Sequence, residues 1–312
     1  MNKIFVFNNL YISIHKDLKE TEYFIKTSKD YIFSSDYHEY NYQIYYEYGP
    51  INIYNIYQFA DLLNEKLEHP KIKNRDIVYY IYNDNEELTN TVLLIGCYMI
   101  IKLNYNPSKV IFILAHLFEL HSNYYIDCIT KHGGYKTSII DCYRALYFSI
   151  NLNLINLTDY LYLTEEDGRD MNIIGNKFIA LSCPSINKNN IKELHKQNIK
   201  KIIRLNGDVY DKSLVEPIEI HDLYFKDMTV PSIKIIKKFM NIVNSIDITE
   251  LIAIHCKAGL GRTGVLICIW LIIKYNFTPQ NVIAYIRMIR PGSILSYQGF
   301  FLESIDEFKH LI

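Results

Sequence analysis

Residues Leu251–Gly264 read LIAIHCKAGLGRTG. Leu251–His255 is a short β-like run, Cys256–Arg262 is a glycine-bearing loop, and Thr263 opens an apolar helix. Strand, loop and helix in that order make an anion-binding geometry, because a helix N-terminus presents unpaired N–H groups. A cysteine that opens such a loop has its sulfur near these N–H groups and the positive end of the helix dipole. Its pKa is thereby lowered, and Cys256 is expected to be a thiolate at neutral pH. Gly259 and Gly261 let successive amides turn inward, so the backbone of Lys257, Ala258, Gly259, Leu260, Gly261 and Arg262 is expected to cradle one phosphoryl group. Arg262 adds a planar fork for two phosphate oxygens. Thr263 is placed to donate to the sulfur when it leaves, and His255 to fix the loop through its ring nitrogens.

A thiolate that takes up a phosphoryl group still needs an acid for the departing oxygen. Asp227 is the first candidate, since it follows the apolar run Leu223–Phe225 and precedes Pro231 at a helix start, on the same side as Cys256. Asp222, Asp208 and Asp211 are alternative carboxylates. Farther along, Arg290-Pro291-Gly292 ends a helix, and Gln298 follows in a loop from which it can position a hydrolytic water.

Working outward, Val92–Leu114 (VLLIGCYMIIKLNYNPSKVIFIL) and Gly264–Ile286 (GVLICIWLIIKYNFTPQNVIAYI) superpose at an offset of about 172 residues. In both, an apolar helix ends near an Asn-aromatic pair. A second helix then starts at N-cap Asn106 or Thr278, with Pro107 or Pro279 in the first turn. The chain reads as a duplication. At the same offset Asn83, Asp84, Asn90 and Thr91 stand opposite His255, Cys256, Arg262 and Thr263, so the first copy lacks both nucleophile and phosphate ligand. Phe178–Leu181 and Lys201–Leu205 also read as strands. Ser232–Val243 reads as a helix burying Ile233, Ile236, Met240 and Val243, with Lys234, Lys237 and Lys238 outward. Strands alternating with helices imply an α/β fold with mainly parallel sheets.

The 312 residues, 49% hydrophobic and 21% charged, suit two globular domains. With 33 Lys+Arg against 34 Asp+Glu, the bulk charge gives no sign of a nucleic-acid binder. The apolar runs Val92–Ile101 and Val265–Ile273 are about half the roughly 20 residues a membrane span needs. No secretory signal follows Met1, so an intracellular protein is expected. Cysteines 97, 128, 142, 183, 256 and 268 show neither zinc spacing nor a disulfide framework.

HCKAGLGRTG, the loop YFKDMTVPS (224–232) and RPGSILSYQ (290–298) together resemble the Cdc-fourteen (cell division cycle fourteen) family of dual-specificity protein phosphatases, in the cysteine-dependent phosphatase superfamily. LYISI, YEYGPINIY, LLIGCYMIIKLNYNP and Ile-Asp-Cys at 140–142 are similar to that family's first domain. The resemblance implies two tandem phosphatase-like domains, each a mainly parallel sheet flanked by helices. Residues 1–155 would be a degenerate wall of the substrate groove, 156–171 a linker and 172–312 the catalytic domain. It implies Cys256 as nucleophile, Arg262 as phosphate ligand, Asp227 as general acid and then base, and Thr263 and Gln298 as helpers, with no metal or other cofactor. It further implies nuclear and cytoplasmic phosphoprotein substrates, phosphoserine-proline favoured and phosphotyrosine also accepted, in opposition to cyclin-dependent kinases in mitosis and cell division. Groove residues would include Tyr124, Tyr125 and Ile126 near the proline, and Glu165, Glu166 and Asp167 on the linker. The linker acids, with Asp159 and Asp170, depart from the family's spacing. Alternative readings are a phosphoinositide phosphatase, disfavoured because Leu260 stands where a second lysine would be, and a phosphate-binding scaffold without turnover.

Overall fold

The structure is a computed structural model that describes residues 3–34, 49–82, 85–119, 124–126, 134–158, 170–184, 188–207, 210–247, 249–295 and 297–312. The chain forms two compact units. One comprises Met1–Tyr46, Ile53–Tyr125 and Ser138–Tyr147, the other Glu47–Asn52, Ile126–Thr137 and Phe148–Ile312.

The elements of the first half of the chain are β1 (Lys3–Phe7), β2 (Leu10–His15), α1 (Leu18–Thr27), β3 (Tyr31–Phe33), α2 (Ile53–Glu68), β4 (Ile77–Tyr82), α3 (Asn85–Ile101), α4 (Pro107–Phe118), β5 (Tyr124–Ile126), β6 (Lys136–Ser138) and α5 (Ile139–Asn151). The first unit's sheet has the order β1-β2-β4-β3, with β4 parallel to both neighbours and β1 antiparallel to β2. β4, IVYYIY, is buried along nearly its whole length, as a strand covered on both faces must be.

The second unit contains β7 (Met171–Ile174), β8 (Phe178–Leu181), α6 (Lys188–Lys196), β9 (Lys201–Arg204), β10 (Glu219–Asp222), α7 (Ile233–Asn244), β11 (Ile252–His255), α8 (Gly261–Tyr275), α9 (Pro279–Ile289), α10 (Tyr297–Glu303) and α11 (Ile305–Phe308). Its sheet order is β10-β9-β11-β8-β7, parallel except for β7. β11 is central and fully buried, so the loop after it opens at the carboxyl edge, where α/β sheets bind ligands. Phe178 of β8 stacks on Phe239 of α7 at 5.7 Å and meets Trp270 of α8 edge-on at 5.1 Å, fixing helices to the sheet. Residues 126–137 belong to this unit through Tyr135 and Thr137. The Tyr135 carbonyl (3.4 Å) and the Thr137 hydroxyl (2.7 Å) both take bonds from buried Arg287 of α9.

The repeat is visible in the backbone. Asn104 and Asn276 are both left-handed (φ 54° and 58°). Asn106 and Thr278 both cap through their side chains, to Lys109 N and Asn281 N. The copies part at the loop. α3 begins at Asn85, which at the shared offset faces Lys257, so helix occupies the place of a loop; Asn83 and Asp84 lie outside the described residues. Asn90 and Thr91 are inside that helix, with Asn90 Oδ1 accepting the Tyr125 hydroxyl at 2.9 Å. No described helix is long and apolar enough to cross a membrane.

Candidate active site

The loop after β11 is built by what holds its carbonyls. His255 Nδ1 lies 3.0 Å from the Cys256 carbonyl. Cys183 N–H donates to the Lys257 carbonyl at 2.9 Å. Arg290 donates to the Ala258 carbonyl (3.0 Å) and the Gly259 carbonyl (2.9 Å). In a trans peptide the N–H points opposite to its C=O. Four consecutive carbonyls drawn to outside donors therefore turn the N–H groups of Lys257, Ala258, Gly259 and Leu260 toward the interior of the loop, where an anion nest needs them. Gly259 has φ +69°, and a Cβ there would stand 2.0 Å from the Leu181 carbonyl oxygen, so no other residue fits. α8 starts at Gly261, two residues before the start expected at Thr263.

Cys256 is buried at the mouth of this loop. Arg262, one residue into the helix, is 4% exposed. Its Nη1 donates to the carbonyls of Leu205 (3.3 Å) and Phe225 (3.1 Å), and its Nη2 is 3.1 Å from Asp227 Oδ1. Its Nε and the Thr263 hydroxyl are buried with no hydrogen-bond partner among the described residues. Such orphans are costly unless a ligand completes them. Gln298, expected in a loop, lies instead in the first turn of α10; it is buried, accepts Leu295 N–H at 2.9 Å, donates to the Thr229 carbonyl at 3.1 Å, and reaches to 2.9 Å of where a Gly261 Cβ would be. Cys256, Arg262, Thr263, Asp227 and Gln298 thus converge.

The rival carboxylates are placed elsewhere. Asp222 accepts a bidentate fork from buried Arg204 (2.6 and 3.0 Å), which holds its carboxyl below the usual range. Asp211 caps a short 3₁₀ turn through Ser213 N–H, and Asp208 lies outside the described residues. Tyr125 is buried, its hydroxyl on Asn90, and Tyr124 is half-buried. The Ile126 side chain and Glu165, Glu166 and Asp167 lie outside the described residues. Asp170 is engaged by Arg290 at 2.8 Å; burial opposes its ionisation, and the guanidinium outweighs burial, so its carboxyl is held below the usual range.

His255 supports the loop through its ring nitrogens as expected, but sequence reasoning missed the groups behind it. A carbonyl only accepts, so His255 Nδ1 carries the proton, and Nε2 accepts the Tyr210 hydroxyl at 3.0 Å. Burial brings the ring down to about 4 and the Tyr210 phenol up to about 12, keeping both neutral. Arg204 lies over the Tyr210 ring at 5.1 Å. Only the RPG stretch hinted at Arg290, and neither Arg204 nor Tyr210 carries a local signal.

Residues 4–149 match the family model "Dual specificity protein phosphatase, N-terminal half", and residues 181–276 match "Polymorphic toxin system, DSP-PTPase phosphatase". The Schizosaccharomyces pombe "Tyrosine-protein phosphatase CDC14 homolog" is 32% identical over 285 residues, covering 83% of this chain and 52% of the relative. Over these shares the chain is similar to the CDC14 dual-specificity phosphatases. The Homo sapiens "Dual specificity protein phosphatase CDC14C" is 31% identical over 279 residues, covering 82% of this chain and 61% of the relative. This chain therefore spans between half and two thirds of the length of these CDC14 relatives. The two family models fall on the tandem α/β domains, and the second runs from the end of β8 through α8, enclosing both the cysteine loop and Asp227. Among solved structures, PTPMT1 aligns with 45% of this chain and 97% of its own, at 23% identity and a TM-score of 0.40.

Proposed function

We propose that this chain is a cysteine-dependent phosphatase acting on phosphoserine, phosphothreonine and phosphotyrosine in proteins, with phosphoserine-proline sites favoured. The observation that carries the reading is the convergence on one anion-shaped loop of Cys256, of Arg262 with an unpaired buried Nε, and of Asp227. The phosphoryl oxygens would take the inward N–H groups of the loop and the Arg262 fork. Cys256 Sγ attacks phosphorus, the bond from phosphorus to the ester oxygen breaks, and Asp227 gives its proton to the leaving alkoxide or phenoxide. Water then attacks the phosphocysteine with Gln298 orienting it and Asp227, now carboxylate, taking its proton. Thr263 donates to the departing sulfur, and inorganic phosphate is released. His255 and Arg290 hold the loop in shape.

Residues 1–155 are read as catalytically silent, 156–171 as a linker and 172–312 as the catalytic segment. The proposal extends to a role opposing cyclin-dependent kinases in the nucleus and cytoplasm, which rests on the family resemblance of the motifs. Measuring kcat/KM on phosphoserine-proline, phosphoserine-alanine, phosphotyrosine and inositol phosphate substrates tests the reading. Turnover confined to the inositol phosphate would overturn the protein-substrate assignment, and equal rates with proline and alanine would remove the proline preference.

A further inference from the structure

Two exposed apolar side chains of the second unit, Met228 (40% exposed) and Tyr297 (75%), have no part in the arrangement above. Each neighbours a residue of the site, Met228 after Asp227 and Tyr297 before Gln298. The two segments are tied together, since Gln298 Nε2 holds the Thr229 carbonyl.

Met228 is also strained. Its φ is +59°, in the turn that Thr229 closes on the Lys226 carbonyl through its N–H (3.4 Å) and hydroxyl (2.7 Å). Glycine or asparagine adopts that turn position freely. At Asn8, Asn104, Asn153, Asn176, Asn198 and Asn276 the chain does use asparagine for positive φ. The remaining described case outside glycine, Ile294 at φ +63°, is fully buried and its carbonyl is gripped by Arg287 at 2.7 Å, so packing holds it. Met228 is instead left 40% exposed. Its backbone meets a local need, because its N–H donates to Asp227 Oδ1 at 3.1 Å, but glycine would supply the same N–H. Backbone strain beside a reacting group, retained for a side chain that the fold leaves partly in solvent, points to a use by substrate.

We infer that Met228 and Tyr297 form an apolar rim that selects substrates carrying an aliphatic or aromatic side chain next to the phosphorylated residue. A flexible thioether and a phenol ring bury apolar surface against such a neighbour and offer nothing to a small polar one. This rests on the phosphatase reading of the Cys256 loop and specifies which phosphoproteins that loop admits.

The test uses the full chain, Met228→Gly and Tyr297→Ser, with two phosphopeptides differing only in leucine or serine on both sides of the phosphoresidue. 4-Nitrophenyl phosphate serves as a reference without neighbours. The wild type should favour the leucine peptide by about tenfold in kcat/KM, the worth of one apolar contact, and each variant should lose most of that preference relative to the reference ester. The unfolding temperature of Met228→Gly should not fall, because the turn is relieved. A preference equal in wild type and variants overturns the inference while the phosphatase reading stands. A lower unfolding temperature for Met228→Gly assigns the side chain to packing and also overturns it. If none of the three esters turns over and Cys256→Ser binds neither peptide, the reading and the inference fall together.

Discussion

Arg262 Nη2 and Asp227 Oδ1 stand 3.1 Å apart, so the proposed phosphate ligand is engaged by the proposed acid in the free protein. Incoming phosphate has to share Arg262 with Asp227. Asp227→Asn should therefore slow phosphoserine hydrolysis by about 10² or more, and an aryl phosphate less, since its leaving group needs less help. The same variant should bind inorganic phosphate up to about fivefold more tightly, the scale of an exposed ion pair, because Asp227 is 59% exposed. Unchanged phosphate affinity, read by titration calorimetry, would mean that the pair does not compete with the ligand.

Replacing Cys256 by serine removes the attacking sulfur and leaves the nest of N–H groups and Arg262 in place. Phosphopeptide turnover should vanish while binding, followed by fluorescence anisotropy, persists. Activity above background in this variant would refute a phosphocysteine.

The two aspartates should separate by phenotype. Asp222→Asn strips buried Arg204 of its bidentate partner and should destabilise the fold by about 1–3 kcal/mol, at the lower end because the carboxylate is half exposed. Asp227→Asn should leave the urea midpoint nearly unchanged. If Asp222→Asn instead shows a selective loss with poor leaving groups at full stability, the acid is Asp222.

Acid should weaken the fold through His255. Its folded pKa, about 4, lies below the ordinary 6.5, so the unfolded chain binds the extra proton first. Stability is then fully present above about pH 6.5 and is lost as pH falls toward 4, by about 3 kcal/mol in all. Buried His15, lowered in the same direction by burial, adds to that window. Urea midpoints for wild type and His255→Gln between pH 7 and 4 check this, and the variant's profile should be flatter. Superimposable profiles would show that the ring is not held neutral.

How much of this could be read beforehand follows from the range of the signals. The strand, loop and helix around Cys256 are adjacent in sequence, and the left-handed asparagines and prolines of the repeat act within one turn of their own position, so both were legible. Arg204 finds Asp222 18 residues away, Tyr210 finds His255 45 away, and Arg290 reaches Asn172 across 118, so only the sheet brings them together. Tyr125 shows the converse. An aromatic residue beside a loop looks available from sequence, and tertiary packing buries it under Asn90.

The capture of Glu47–Asn52 and Ile126–Thr137 by the second unit means that no single scission releases that unit whole. A fragment cut at residue 172 would lose Thr137 and Tyr135 from Arg287, and with them the edge-on packing of Tyr135 against Phe300 at 5.4 Å. An engineered protease site between residues 159 and 169 should accordingly nick the chain without parting it, the halves eluting together from a sizing column until denaturant is added. Prompt separation in buffer would show that the Arg287 anchorage is too weak to outlast the covalent bond. For expression and domain-swap work the practical module is then a clasped pair of polypeptides, co-produced, in place of a trimmed carboxyl-terminal half.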